Sequence, residues 1–146
     1  MQDKRLQASL GYALVRAFRT VNRDTTRALS PHGLSAEQAH ILLVLWDGGP
    51  MKVGELQRVL ALGSGTLTGA LDRMEKASLV RRVPDPKDRR AFVVEPLPFG
   101  AKKRKFVERT LEGIEEGCFA MLTPRERATL FRLLTRVADD PQKRSA

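Results

Sequence analysis

Residues 53–96 carry the pattern that most restricts what this chain can fold into. A short amphipathic segment over residues 53–60 and a turn at Leu62-Gly63 lead into a second segment over residues 64–77. An apolar-basic strand over 79–84 follows, then the tight charged loop Asp85-Pro86-Lys87-Asp88-Arg89-Arg90 and a second strand over 91–95. Two helices joined by a short turn and followed by a basic-tipped hairpin make a winged helix-turn-helix. Such a shape offers one helix to a DNA major groove and an arginine-bearing loop to the surface beside it.

Bulk properties agree. With 146 residues the chain has room for one domain or two closely packed subdomains. Its 26 Lys and Arg against 17 Asp and Glu give a formal charge of +9, and the pI is near 10.4. That is the electrostatic footprint of a polyanion binder, although a basic surface without such a partner fits the number too. The longest apolar run, residues 41–46, is far too short to span a bilayer. Met1-Gln2-Asp3-Lys4-Arg5 opens without the apolar stretch of a signal peptide. Cys118, the single cysteine, excludes an intrachain disulfide and fits a reducing cytoplasm. A cytoplasmic protein without membrane contact is expected.

Outside the central segment the chain reads as helix. Leu6, Leu10, Ala13, Leu14, Ala17, Phe18, Val21, Ala28 and Leu29 recur at three-to-four spacing, which predicts one long helix over 6–29. Ser30-Pro31-His32-Gly33 stops it. Ser35 with Gln38 forms a capping box for a helix to about Trp46, ended by Asp47-Gly48-Gly49-Pro50. After Pro96, Pro98 and Gly100 the helical period returns through Phe106, Leu111, Ile114, Cys118 and Met121. Thr123-Pro124-Arg125-Glu126 starts a last helix lined by Leu130, Phe131, Leu134, Val137 and Ala138. A polar, frayed tail is expected from Pro141. The first and last helices carry more apolar surface than a winged helix can cover, so they must bury it against each other or a second subunit. The expectation is a mainly α fold: a winged helix-turn-helix over 35–97 with a two-stranded β-wing, and long dimerisation helices over 1–34 and 98–146.

On the helix 64–77, Leu67, Ala70, Leu71 and Met74 share one arc and face the core. The opposite arc holds Gly65, Thr68, Gly69, Asp72, Arg73 and Lys76, with Thr66 on its flank. An ordinary solvated face is one reading. Two glycines four apart are costly in a helix, however, and are explained if a surface must approach closely there. Ser64 is the expected N-cap, its neighbouring amides open to a phosphate. In the loop an arginine tip suits a narrow minor groove. Asp88, two residues before Arg90, is placed to hold the Arg90 guanidinium by a bidentate pair. A turn rich in Asp and Pro for turn reasons alone is the plainer alternative. The candidate DNA contacts are therefore Ser64, Gly65, Thr66, Thr68, Arg73, Lys76, Arg81, Lys87, Asp88, Arg89 and Arg90. Lys102-Lys103-Arg104-Lys105 reads either as a solvated helix turn or as added phosphate attraction.

The segments Gly33-Leu34-Ser35 with Gln38, Ser64-Gly65-Thr66-Leu67-Thr68, Asp72-Arg73-Met74-Glu75, Leu79-Val80-Arg81-Arg82 and Asp85-Pro86-Lys87-Asp88-Arg89-Arg90 resemble the multiple-antibiotic-resistance regulator (MarR) family. The resemblance runs from about residue 8 to 138, and the loop 85–90 is its most specific part. It implies a homodimeric transcription factor, usually a repressor released by a small molecule or an oxidant. It also implies that Arg90 enters a minor groove and that Asp88 orients it. Three positions depart from the family pattern. Ser78 stands where glycine is usual at a left-handed helix exit, and Pro98 replaces a common capping threonine. Gly69 occupies a position that is often proline in the peroxide-sensing branch. That branch senses through a first-helix cysteine; here Cys118 is the only cysteine, and on an apolar stripe it reads as a buried structural residue.

His32 and His40, with seven residues between them in a chain without a second cysteine, fall short of a tetrahedral zinc site, so no metal is expected. No nucleophile–base pair, paired catalytic carboxylates, phosphate loop or cofactor motif is visible, so neither an enzyme nor a cofactor is expected. The family's effectors bind between the dimerisation helices and the winged helix, which makes Tyr12, Arg16, His40 and Trp46 weak candidates for a lining. The leading expectation is a dimer on double-stranded DNA, reading a pseudo-palindromic operator under control of a small-molecule effector. The competing one is a winged-helix module that docks a protein and no longer reads DNA specifically.

Overall fold

The computed structural model describes residues 4–139, in two compact units divided after Leu111. The tail from Pro141 lies outside the described residues. The elements are α1 (Lys4–Gln7), α2 (Leu10–Leu29), a 3-10 turn (Ser30–His32), α3 (Ala36–Gly48), β1 (Met51–Lys52), α4 (Val53–Leu60), α5 (Ser64–Lys76), β2 (Val80–Asp85), β3 (Asp88–Pro96), α6 (Pro98–Ala101), α7 (Arg104–Cys118) and α8 (Pro124–Ala138). This is the expected mainly α winged helix-turn-helix.

The first helix is not continuous. Ser9 takes an extended conformation (φ −78°, ψ 124°) and its Oγ accepts the Tyr12 amide at 3.3 Å, so a serine that looked like helix interior caps a new helix instead. Gly33, at φ 69°, turns the chain out of the 3-10 segment. The Ser35–Gln38 capping box then forms in both directions. Ala36 donates its amide to Thr26 Oγ1 at 3.0 Å, fastening the start of α3 to α2.

α3 is the apolar centre of the first unit. Ala36, Ala39, Ile41, Leu42 and Leu45 are buried on it, and Leu43, Val44 and Trp46 pack half-buried against the core. Leu56 of α4, Leu67, Leu71 and Met74 of α5, Val80 of β2, Val94 of β3 and Val107 of α7 complete the same cluster. Gly100 is held tightly there: a Cβ on it would meet the Leu79 carbonyl oxygen at 3.3 Å and Leu42 Cδ2 at 3.6 Å.

The sheet has three antiparallel strands in the order β1-β3-β2, one more than expected. β1 is a two-residue strand pairing Met51 with Val94 and Lys52 with Val93, too short to leave a period in the sequence. The wing strands also run further than expected, leaving only Pro86 and Lys87 between them. β2 is the outer strand, which tolerates Pro84. Within the second unit, Thr123 and Glu126 form the expected reciprocal capping box at the start of α8.

Candidate nucleic-acid interface

Helix α5 is presented by two left-handed closures. At its entry Ala61 sits at φ 51°, and the Leu62 and Ala61 amides close back on the carbonyls of Gln57 (3.1 Å) and Arg58 (3.3 Å). At its exit Ser78 sits at φ 57°, with Leu79 bonding Met74 O (2.9 Å) and Ser78 bonding Glu75 O (3.0 Å). This pair of bonds is a Schellman closure, and it holds serine in the conformation where glycine was anticipated.

The cap differs from expectation. Gly63, not Ser64, is the N-cap; it is extended (φ −66°, ψ 150°), and its carbonyl accepts the Leu67 amide at 3.0 Å. Ser64 is therefore the first helical residue, and no side chain caps the helix start. Unfilled first-turn amides and the positive end of the helix dipole favour an anion there.

Leu67, Ala70, Leu71 and Met74 are buried, as their arc requires. Ser64, Gly65, Thr66, Thr68, Arg73 and Lys76 are exposed, and Gly69 is half-buried. A Cβ at Gly65 would have no heavy atom within 4 Å, whereas one at Gly69 would lie 3.5 Å from Arg73 Nη1. Arg73 thus leans back over the gap left by Gly69, in the direction helical side chains take.

In the wing the register jumps. Pro84 pairs with Phe92 but Asp85 pairs with Asp88, so Arg89, Arg90 and Ala91 bulge from β3 without a partner on β2. Two aspartates shape the bulge. Asp85 is buried; its Oδ1 accepts the Lys87 amide at 2.9 Å and its Oδ2 pairs with Lys52 Nζ at 3.0 Å. These bonds hold the Asp85 carboxyl below its ordinary pKa. Asp88 Oδ1 accepts the backbone amide of Arg90 at 3.0 Å. The anticipated guanidinium pair is replaced by this backbone bond: the short Asp88 side chain, two residues upstream, is spent on the turn.

The basic residues fall into two groups. Arg81 is paired across the strands with Glu95 at 2.7 Å. Arg82 is half-buried and gripped by α5: its amide and Nε reach Glu75 Oε1 at 2.8 and 3.1 Å, Nη2 reaches Glu75 Oε2 at 2.8 Å, and Nη2 also bonds Asp72. This grip lowers the Glu75 pKa and raises that of Arg82. By contrast Arg73, Lys76, Lys87, Arg89 and Arg90 are exposed and have no ion pair among the described residues. Sequence reading missed Arg82. Its signal was strand alternation, which puts Arg82 on the same face as buried Val80, opposite the i, i+3 acids Asp72 and Glu75.

Half of the basic run 102–105, which leads into α7, is committed to structure. Lys103 Nζ bonds His32 O at 3.0 Å and lies 5.4 Å from the Phe99 ring centroid. Arg104 bonds Glu108 (2.7 Å), Asp47 (2.5 Å) and Trp46 O (3.2 Å). Lys102 and Lys105 remain exposed.

Among the effector candidates, Tyr12 is half-buried and Arg16 exposed on α2. On α3, His40 is exposed, although partial burial lowers its pKa against the opposing effect of Glu37. Trp46 is half-buried, and its Nε1 and the Oε1 of Glu37 are buried without hydrogen-bond partners among the described residues. No hydrogen bond, ion pair or ring contact joins Tyr12, Arg16, His40 and Trp46 to one another among the described residues. His32 is exposed and stacks on Phe106 at 3.5 Å. Cys118 is half-buried at the end of α7, less enclosed than its stripe implied. Among the described residues no group of three or more His, Cys, Asp and Glu could hold a metal ion. No helix among them is long and apolar enough to cross a membrane.

Comparison with known proteins agrees with this geometry. The sequence profile of the MarR family matches residues 34–92. The transcriptional regulator YcgE of Bacillus subtilis is 30% identical over 143 residues, covering 95% of this chain and 93% of the relative. MgrA of Staphylococcus aureus is 34% identical over 90 residues, 61% of each chain. Mutant MarR from E. coli complexed with operator DNA superposes with a TM-score of 0.83 at 28% identity, covering 93% of this chain and 99% of that one. BpsR of Bordetella bronchiseptica, whose DNA binding is regulated by 6-hydroxynicotinic acid, superposes with a TM-score of 0.85 at 25% identity, covering 94% and 99%. With a helix-turn-helix of this geometry and a relative matched nearly end to end, the chain belongs to the MarR family and is a DNA-binding transcriptional regulator.

Proposed function

We propose that the chain acts as a homodimeric repressor on a pseudo-palindromic operator, each protomer placing α5 in a major groove and the 85–90 wing in the adjacent minor groove. The observation that carries this reading is the partition of charge: Arg73, Lys76, Lys87, Arg89 and Arg90 make no ion pair among the described residues, whereas Arg81 and Arg82 do. The uncapped start of α5, with Ser64, Gly65, Thr66 and Thr68 exposed, supplies backbone amides and small side chains for close approach. Arg90 is the minor-groove residue. Asp88 presents it by fixing the bulged backbone, and Lys87 and Arg89 contact flanking phosphates.

Residues 35–97 form the reading head in this account, and 1–34 with 98–146 form the dimer. Leu10 and Phe18 on α2 are 89% and 63% exposed, and Phe131 and Val137 on α8 are 75% and 56% exposed, surface that a second copy would cover. A two-fold protein gains affinity from two half-sites about one helical turn apart. A small-molecule effector releases the DNA; the regulation of BpsR by 6-hydroxynicotinic acid supports this, and the unpartnered Trp46 Nε1 offers a donor to an aromatic acid. The site of action is the cytoplasm.

Selection of duplexes from a random library, followed by binding with excess competitor DNA, tests the reading. A recovered palindromic site that resists competitor and is released by an aromatic acid supports it. Binding that competitor removes in full favours the protein-docking alternative.

A further inference from the structure

We propose that Arg82 is a positioning residue that sets the wing against α5, so that one protomer engages two grooves in a single geometry. The inference rests on the DNA-reading assignment above and goes beyond it, because Arg82 is not among the groups that would touch DNA. Four bonds converge on this one residue. Its backbone amide and its guanidinium together occupy both Glu75 oxygens, and Nη2 adds Asp72 one helical turn earlier. The guanidinium side chain is 25% exposed, so the fork is partly shielded from water, where charge-assisted bidentate bonds are stronger.

Placement gives the grip its consequence. Arg82 lies near the root of β2, while Asp85 pins the tip of the same strand to Lys52 of β1. The hairpin is thereby tied at its root to the helix and at its tip to the remainder of the sheet. Arg90 emerges from the bulge just beyond, so any rotation of β2 against α5 displaces it. The same grip serves electrostatics. Asp72 shares the exposed arc of α5 with Arg73 and Lys76, and a bare carboxylate there would repel phosphate; Arg82 neutralises it from the side.

A double-mutant cycle separates positioning from folding and from the DNA-reading assignment. Arg82→Lys keeps the charge but cannot make the planar fork. Operator affinity, with a library-selected duplex as probe, is measured at fixed salt for the parent, Arg82→Lys, Arg90→Ala and the double variant, with random duplex alongside. Expected is a loss of about fivefold or more on operator for Arg82→Lys, with random DNA nearly unchanged. The loss caused by Arg90→Ala should then shrink severalfold in the Arg82→Lys background, because a displaced wing no longer delivers Arg90. If Arg82→Lys does not melt as one transition, Glu75→Gln carries the same cycle. An equal Arg90→Ala loss in both backgrounds overturns the positioning role and leaves the wing assignment standing. An Arg90→Ala variant as tight as the parent removes the wing assignment, and the proposal with it.

Discussion

Leu71 in α5 and Phe131 in α8 are both large apolar residues on amphipathic helices, yet Leu71 is fully buried and Phe131 is 75% exposed. The contrast extends beyond this pair. In the winged helix, Leu56, Leu67, Met74, Val80 and Val94 are closed within one chain. On α2, Leu10, Leu14 and Phe18 stand at successive turns with 89%, 45% and 63% of their surface in water. The core under the reading head is closed, with Leu29 of α2 and Val107 of α7 completing it, whereas the outer faces of α2 and α8 leave apolar surface exposed among the described residues. Polar groups divide similarly, since the head uses Arg82, Asp85 and Asp88 for its own geometry and leaves a distinct set of cations without an ion pair among the described residues.

The sharpest way to break that comparison is Phe18→Asp. Placing a charge in the exposed stripe should split the assembly to a chain of 16.3 kDa in sedimentation and lower operator affinity by about 10²–10⁴-fold through lost bivalency. The fold, read by circular dichroism, should survive. A Phe18→Asp protein that stays dimeric would show that the stripe is not the interface. The opposite signature belongs to Leu71→Ala, which should destabilise the chain by about 2–5 kcal/mol in denaturant unfolding, since it opens a cavity in a closed core. A cost below about 0.5 kcal/mol would mean that the head is not independently packed.

Smaller effects sharpen the picture within the head. Asp88→Ala removes the bond to the Arg90 amide but no cation, so it should weaken operator binding by less than the roughly 1–3 kcal/mol per half-site expected of a base-reading arginine. A larger loss than that of Arg90→Ala would point to a direct role for Asp88. Ser78→Gly should raise thermal stability by up to about 1 kcal/mol, because glycine holds the left-handed exit without a Cβ penalty. A fall in stability would mean that the Ser78 side chain earns its place through contacts.

Local chemistry was the legible part of the sequence. Ser35 with Gln38 and Thr123 with Glu126 named two helix starts because a capping box is a short-range arrangement with few alternatives. The buried arc of α5 followed from its period alone. What stayed hidden depended on partners distant in sequence or on competition between neighbours. β1 is two residues long and exists only because β3 pairs with it. Gly63 displaced Ser64 as cap because the extended conformation fell one residue earlier. Ser9 broke the first helix by bonding its own backbone neighbour. At the interface, the residue types were readable but their assignments were not: seven positions separate Arg82 from Glu75, and only folding brings them together.

The central claim is that α5 and the bulged wing read adjacent grooves in two symmetric half-sites. Hydroxyl-radical footprinting of the selected operator, with the parent and with Arg90→Ala at one salt concentration, tests it most directly. The account predicts two protected half-sites about one helical turn apart, each flanked by a minor-groove protection that disappears in Arg90→Ala while the inner protections persist. A single unsymmetric footprint, or flanking protections unchanged by Arg90→Ala, would contradict it.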